Sequence, residues 1–107
     1  MAVKDPIDAT GAQLLDLIGG EEPLVVMFTA SWCGPCKQMK PMVERLAGTA
    51  GLQVVRVDAG ADQDVQTAHQ IRGVPTIAVF RDGSEVARVV GTQTEARIAE
   101  LLGKVKL

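Results

Sequence analysis

Leu24-Val25-Val26-Met27-Phe28-Thr29-Ala30 runs directly into Ser31-Trp32-Cys33-Gly34-Pro35-Cys36-Lys37. The first half is rich in β formers and does not alternate apolar with polar residues, which reads as a strand covered on both faces, as in the middle of a parallel sheet. The second half opens a helix over residues 35–47, because Met39, Met42, Val43 and Leu46 recur at i, i+3, i+4 and i+7. Pro41 lies inside that helix, removes one backbone donor and predicts a kink. Two cysteines therefore fall at the junction of a buried strand and a helix.

Gly and Pro divide the rest into alternating pieces. Residues 9–18 predict a helix with Leu14, Leu15, Leu17 and Ile18 as its apolar stripe, capped by Asp8 or Thr10 and ended by Gly19-Gly20. Residues 52–58 read as a second strand. Asp62 caps a short helix that carries Val65, Ala68 and Ile71 inward and stops at Gly73. Residues 76–80 and 85–90 read as strands, and the Asp82-Gly83 between them is a hairpin signal, since both central residues of a type I′ turn need positive φ. Thr92-Gln93-Thr94-Glu95 fits a capping box opening a last helix, in which Ile98, Leu101, Leu102 and Val105 share a face. The order αβαβαββα, with room for a short strand near Val3, predicts an α/β fold: one three-layer domain over residues 1–107, with a mixed sheet between helices and a C-terminal β-hairpin plus helix.

At 107 residues the chain has length for one domain, and 47% hydrophobic residues supply a core without metal or disulfide staples. A formal net charge of −2, with the charges interspersed, argues against nucleic acid or an anionic membrane as partner. The longest apolar run is far shorter than the ~20 residues of a transmembrane helix. Met1-Ala2-Val3-Lys4-Asp5-Pro6 makes a poor secretory signal, which points to the cytoplasm.

Cys33 and Cys36 lie three apart, so a bond between them restrains very little of the unfolded chain. Their value is chemical. The thiolate is the attacking species in disulfide exchange, and Cys33 sits where unpaired N–H groups and the helix dipole favour an anion. Pro35 suits the first helical position, having no N–H to leave unsatisfied, and Gly34 keeps the approach to the first sulfur open. This spacing makes Cys33 the nucleophile and Cys36, deeper in the helix, the resolving thiol; Lys37 adds a cationic bias. The competing readings are a zinc site and an inert structural pair. Zinc needs about four ligands, against one cysteine pair and the lone His69, which reads as a surface or half-buried helix residue.

Ser31-Trp32-Cys33-Gly34-Pro35-Cys36-Lys37 resembles the active-site segment of thioredoxins, and the likeness extends through Pro41, Ile71-Arg72-Gly73-Val74-Pro75-Thr76, the Asp82-Gly83 hairpin and Val90-Gly91. The resemblance implies a thioredoxin fold, a cis bond before Pro75, and a shallow substrate surface made of Trp32, Gly34, Pro35, Gly73, Val74, Pro75 and Gly91. It also implies protein disulfides as substrates, a thioredoxin reductase as electron donor, no cofactor, and a monomer.

The sequence departs from the family at Met27, where thioredoxins generally carry a buried Asp thought to assist the resolving cysteine. Arg56 matches a family lysine near that Asp. The expectation is a stable protein whose resolving step is slower or uses water or another carboxylate, with Asp58 the nearest candidate. Thr29 stands where many members have a second Trp. The alternatives to a reductant of protein disulfides are a specialised thioredoxin-like oxidant or isomerase, and a non-catalytic binding module.

Overall fold

The computed structural model describes residues 4–105. Five strands form one sheet: β1 (Ile7–Asp8), β2 (Leu24–Thr29), β3 (Gln53–Asp58), β4 (Thr76–Arg81) and β5 (Ser84–Val90). Their spatial order is β1-β3-β2-β4-β5, parallel through β1, β3 and β2 and antiparallel from β2 to β5. β2 is central and buried from Leu24 to Phe28, which explains its unbroken apolar run. The short first strand lies at Ile7–Asp8; an expected strand at Val3 falls outside the described residues.

Alternation along the strands sends residues to two cores. Val25, Met27, Ile77 and Val79 pack beneath α2 (Gly34–Thr49) and α4 (Glu95–Val105), against Met39, Val43, Ile98 and Leu101. Val26, Phe28, Ala78 and Phe80 pack beneath α1 (Gly11–Ile18) and α3 (Gln63–Ala68), with Leu14 and Val65. The helices and the mixed sheet thus make the α/β/α arrangement that the pattern predicted.

Several local expectations shift. Thr10, not Asp8, caps α1, its side chain accepting from the Gln13 N–H at 3.2 Å; Asp8 belongs to β1. Leu15 is 62% exposed although it fits the apolar stripe, because one face of α1 meets the sheet and Leu14 fills it. Ala68 is exposed too: α3 ends there, and Gln70 at φ 53° turns the chain so that Ile71 reaches the core from beyond the helix. The last helix starts later than the capping box implied, with the Thr94 hydroxyl accepting from the Arg97 N–H at 3.2 Å. The helix α2, which contains Pro41 at an exposed position, ends at Thr49, two residues beyond the boundary the sequence suggested. The hairpin forms as read, with Asp82 at φ 53° and Gly83 at φ 81°.

Candidate functional site

Cys33 is the N-cap of α2, and the N–H of Cys36 donates to Cys33 Sγ at 3.2 Å. A sulfur in this place takes the role a Ser or Asp oxygen takes at other helix starts: it accepts from a backbone donor that has no helical partner. Gly34 fills the first helical position and Pro35 the second, one later than the sequence suggested. A Cβ added to Gly34 would meet nothing within 4 Å, so the space in front of the first turn is open.

Cys33 and Cys36 are joined as a disulfide with Cα atoms 5.3 Å apart. The expected contrast in burial is absent in this state, since Cys33 is 4% exposed and Cys36 3%. Position on the helix, rather than exposure, therefore distinguishes the two. Ala30 and Val74 pack around them.

The bond between Val74 and Pro75 is cis. This loop is held from both sides: the Thr76 hydroxyl donates to the Gly73 carbonyl at 2.6 Å, and the Gly91 N–H donates to the Pro75 carbonyl at 2.8 Å. Gly91 has φ 84°, where a side chain would be strained. Trp32 stands 74% exposed across from Gly73 and Val74, and with Gly60, Ile71 and Arg72 they enclose a shallow groove of about 160 Å³. The structure thus gathers Trp32, Cys33, Gly73 and Val74, with Pro75 buried behind them and Gly91 tied to its carbonyl. Gly60 carried no signal of its own in the sequence. A Cβ there would lie 2.5 Å from Ala30 Cβ and 3.1 Å from Trp32 Nε1.

A separate cleft of about 180 Å³ reaches Cys36 from the other side and is lined by Asp8, Thr29, Lys37, Lys40 and Arg56. Arg56 donates to both oxygens of Asp8, at 2.8 and 3.0 Å, and to Glu44 at 3.0 Å. Partial burial would lower the Arg56 guanidinium, but the bonds and charges of Asp8 and Glu44 outweigh it and hold the group above its ordinary value. Asp58, the carboxylate singled out from the sequence, instead accepts from the Gly60 N–H at 3.0 Å and does not line the cleft. Asp8 and Glu44 were missed because pairing of β1 with β3 and packing of α2 on the sheet bring them to Arg56. Met27 is fully buried among apolar neighbours, and Thr29 is half-buried with its hydroxyl 3.5 Å from the Val57 carbonyl.

His69 is half-buried at the end of α3, its ring 5.4 Å from that of Phe28 and 6.4 Å from that of Phe80. Desolvation lowers its pKa; Glu85 raises it and Arg88 lowers it further. Among the described residues no group of three or more His, Cys, Asp or Glu side chains is arranged to hold a metal ion, and no helix is long and apolar enough to cross a membrane.

A Cys-x-x-Cys disulfide at the start of a helix, on a mixed sheet with helices on both faces, defines a thiol–disulfide oxidoreductase. Comparison with known proteins makes this specific. The family model for thioredoxin matches residues 9–104. A thioredoxin of Mycolicibacterium smegmatis is 38% identical over 78% of each chain, and a thioredoxin-like protein of Synechocystis is 36% identical over 95% of this chain and 96% of its own. A thioredoxin variant of Halobacterium salinarum superposes with a TM-score of 0.86 at 33% identity, covering 100% of this chain and 96% of the other. The chain belongs to the thioredoxin family.

Proposed function

We propose that this oxidoreductase works as a reductant of protein disulfides, with Cys33 as nucleophile and Cys36 as resolving thiol. The observation that carries the reading is the Cys33 sulfur at the N-cap of α2, accepting the Cys36 N–H. The same donor and the helix dipole favour the Cys33 thiolate in the reduced protein. That thiolate attacks one sulfur of a substrate disulfide, the other substrate sulfur leaves as thiolate and takes a proton, and Cys33 is left in a mixed disulfide. The Cys36 thiolate then attacks Cys33, releasing the second substrate thiol and forming the internal disulfide.

The substrate surface consists of Trp32, Gly34, Pro35, Gly73, Val74, Pro75 and Gly91. Val74 supports this reading, because it packs against the Cys33–Cys36 pair and so lies beside the sulfur that an extended substrate chain must reach. A thioredoxin reductase supplies electrons, and the protein acts as a single-domain monomer over residues 1–107 in the cytoplasm, where thiols are kept reduced.

Insulin-disulfide reduction with thioredoxin reductase and NADPH tests the proposal. The intact protein is expected to turn over, Cys33→Ser to be inactive, and Cys36→Ser to accumulate a mixed disulfide on Cys33. A Cys33→Ser variant that retains turnover would overturn the assignment. A reduction potential at or above the glutathione poise would assign the protein to oxidation or isomerisation instead.

A further inference from the structure

Resolution requires Cys36 to lose its proton while the groove between Trp32 and Val74 is covered by the substrate held on Cys33. Ala30 and Val74, the apolar side chains packed against the two cysteines, supply no acid or base themselves. Met27, on the face of β2 turned toward α2, is apolar and fully buried. The second cleft reaches Cys36 and shares no wall with the groove: its lining is Asp8, Thr29, Ala30, Lys37, Lys40 and Arg56, whereas the groove uses Trp32, Gly60, Gly73 and Val74.

The charges at this cleft come from three elements. α2 gives Lys37, Lys40 and Glu44, β3 gives Arg56 and, at its exposed end, Asp58, and β1 gives Asp8. Asp8 and Glu44 are both bound to Arg56, and Asp58 accepts from the Gly60 N–H. Neither lysine meets a carboxylate within 4.0 Å among the described residues. Among the side chains that line the cleft itself, Lys37, Lys40 and Arg56 face a single acid, Asp8, which is bound to Arg56, so the positive surplus is carried by Lys37 and Lys40 on the helix that holds Cys36.

We propose that Cys36 releases its proton directly to solvent in this rear cleft, and that Lys37 and Lys40 hold the resulting thiolate, with no carboxylate of the protein taking the proton. The inference rests on the assigned resolving role of Cys36. The step balances: the Cys36 S–H gives its proton to water, the thiolate attacks Cys33 Sγ, the bond from Cys33 to the substrate breaks, and the substrate sulfur leaves with that electron pair. Lys37 and Lys40 are positioning residues, since they act on the sulfur through their field. The arrangement lets proton release proceed while the substrate covers the front of the site.

The test uses the full chain carrying a thionitrobenzoate mixed disulfide on Cys33, from which attack by Cys36 releases a coloured thiolate. Charges lining one cleft act within the Debye length of about 10 Å at 0.1 M salt, so each exposed lysine moves the thiol by a few tenths of a pKa unit. Lys37→Gln with Lys40→Gln is expected to move the pH profile of release upward by about half a unit, which is roughly a threefold loss of thiolate near neutrality. Raising salt from 0.05 to 0.5 M is expected to slow the intact protein similarly and to leave the double variant nearly unchanged. Asp8→Asn is expected to leave the rate at pH 7 equal or faster. An unshifted profile in the lysine variant, or a tenfold or greater loss in Asp8→Asn, would overturn the proposal; the latter would make Asp8 the base. Failure of Cys33 to form the mixed disulfide at all would instead refute its nucleophilic role.

Discussion

Replacing Met27 with Asp tests how far the interior of this protein is built for an apolar residue at that position. Met27 is fully buried, lies between Arg56 on β3 and Ile77 on β4 in the register of the sheet, and packs in the core that holds Met39, Val43 and Ile98. Removing a buried Met side chain costs about 2–5 kcal/mol, and leaving a buried polar group without adequate partners costs about 1–3 kcal/mol more. Arg56 shares the face, but its guanidinium is already bound to Asp8 and Glu44. The expected loss is therefore about 3–8 kcal/mol, a large share of the roughly 5–15 kcal/mol that a domain of this kind possesses.

The sign of the pH dependence follows from burial. A desolvated carboxyl has its folded pKa raised above the unfolded value of about 3.9, so the folded variant favours the protonated acid. Its deficit relative to Met27 is smallest below pH 4 and grows as pH rises from there through the raised folded pKa. Urea unfolding of both proteins across pH 3.5 to 8 measures this difference. Equal stability at pH 7, or a deficit that shrinks as pH rises, would refute the reasoning. Insulin-disulfide reduction by the same variant, run across pH, reports separately on chemistry: an unchanged rate and profile means position 27 takes no part in proton transfer.

Two further outcomes are expected. His69 has a lowered folded pKa because it is desolvated, so its contribution to stability is complete above about pH 6.5 and is lost as pH falls from there toward the folded value; His69→Gln removes that component of the slope in a denaturant titration, and an unchanged slope would show that the ring titrates freely. Gly60→Ala places a Cβ 2.5 Å from Ala30 Cβ and 3.1 Å from Trp32 Nε1, so it costs about 1–3 kcal/mol through overpacking and changes the fluorescence of Trp32, the single tryptophan; full stability with an unchanged spectrum would contradict the packing described.

Much of the site is legible in the amino-acid sequence because its signals are local. Proximity in the chain brings Cys33 within one helical turn of Cys36, and Asp82-Gly83 adopts the positive φ values that its turn requires. The residues whose surroundings differ from expectation share another character. Leu15 and Ala68 fit a helical stripe, yet how much of a stripe is covered depends on how the helix lies on the sheet. Strand parity puts Asp58 on the same face as Arg56, but it cannot show which other elements bring charge to that face.

The sequence by itself determined the class of fold, the strand-to-helix placement of the disulfide and its chemistry, because periodicity, turn propensity and helix-end electrostatics act over a few residues. Only the tertiary structure decided that Asp8, Glu44 and Arg56 form one charged cluster, that Gly60 leaves room for Trp32, and that Cys36 has an opening of its own behind the groove. Those features join residues up to 48 positions apart, and contact over such distances depends on sheet order and helix packing, which no short stretch of chain encodes.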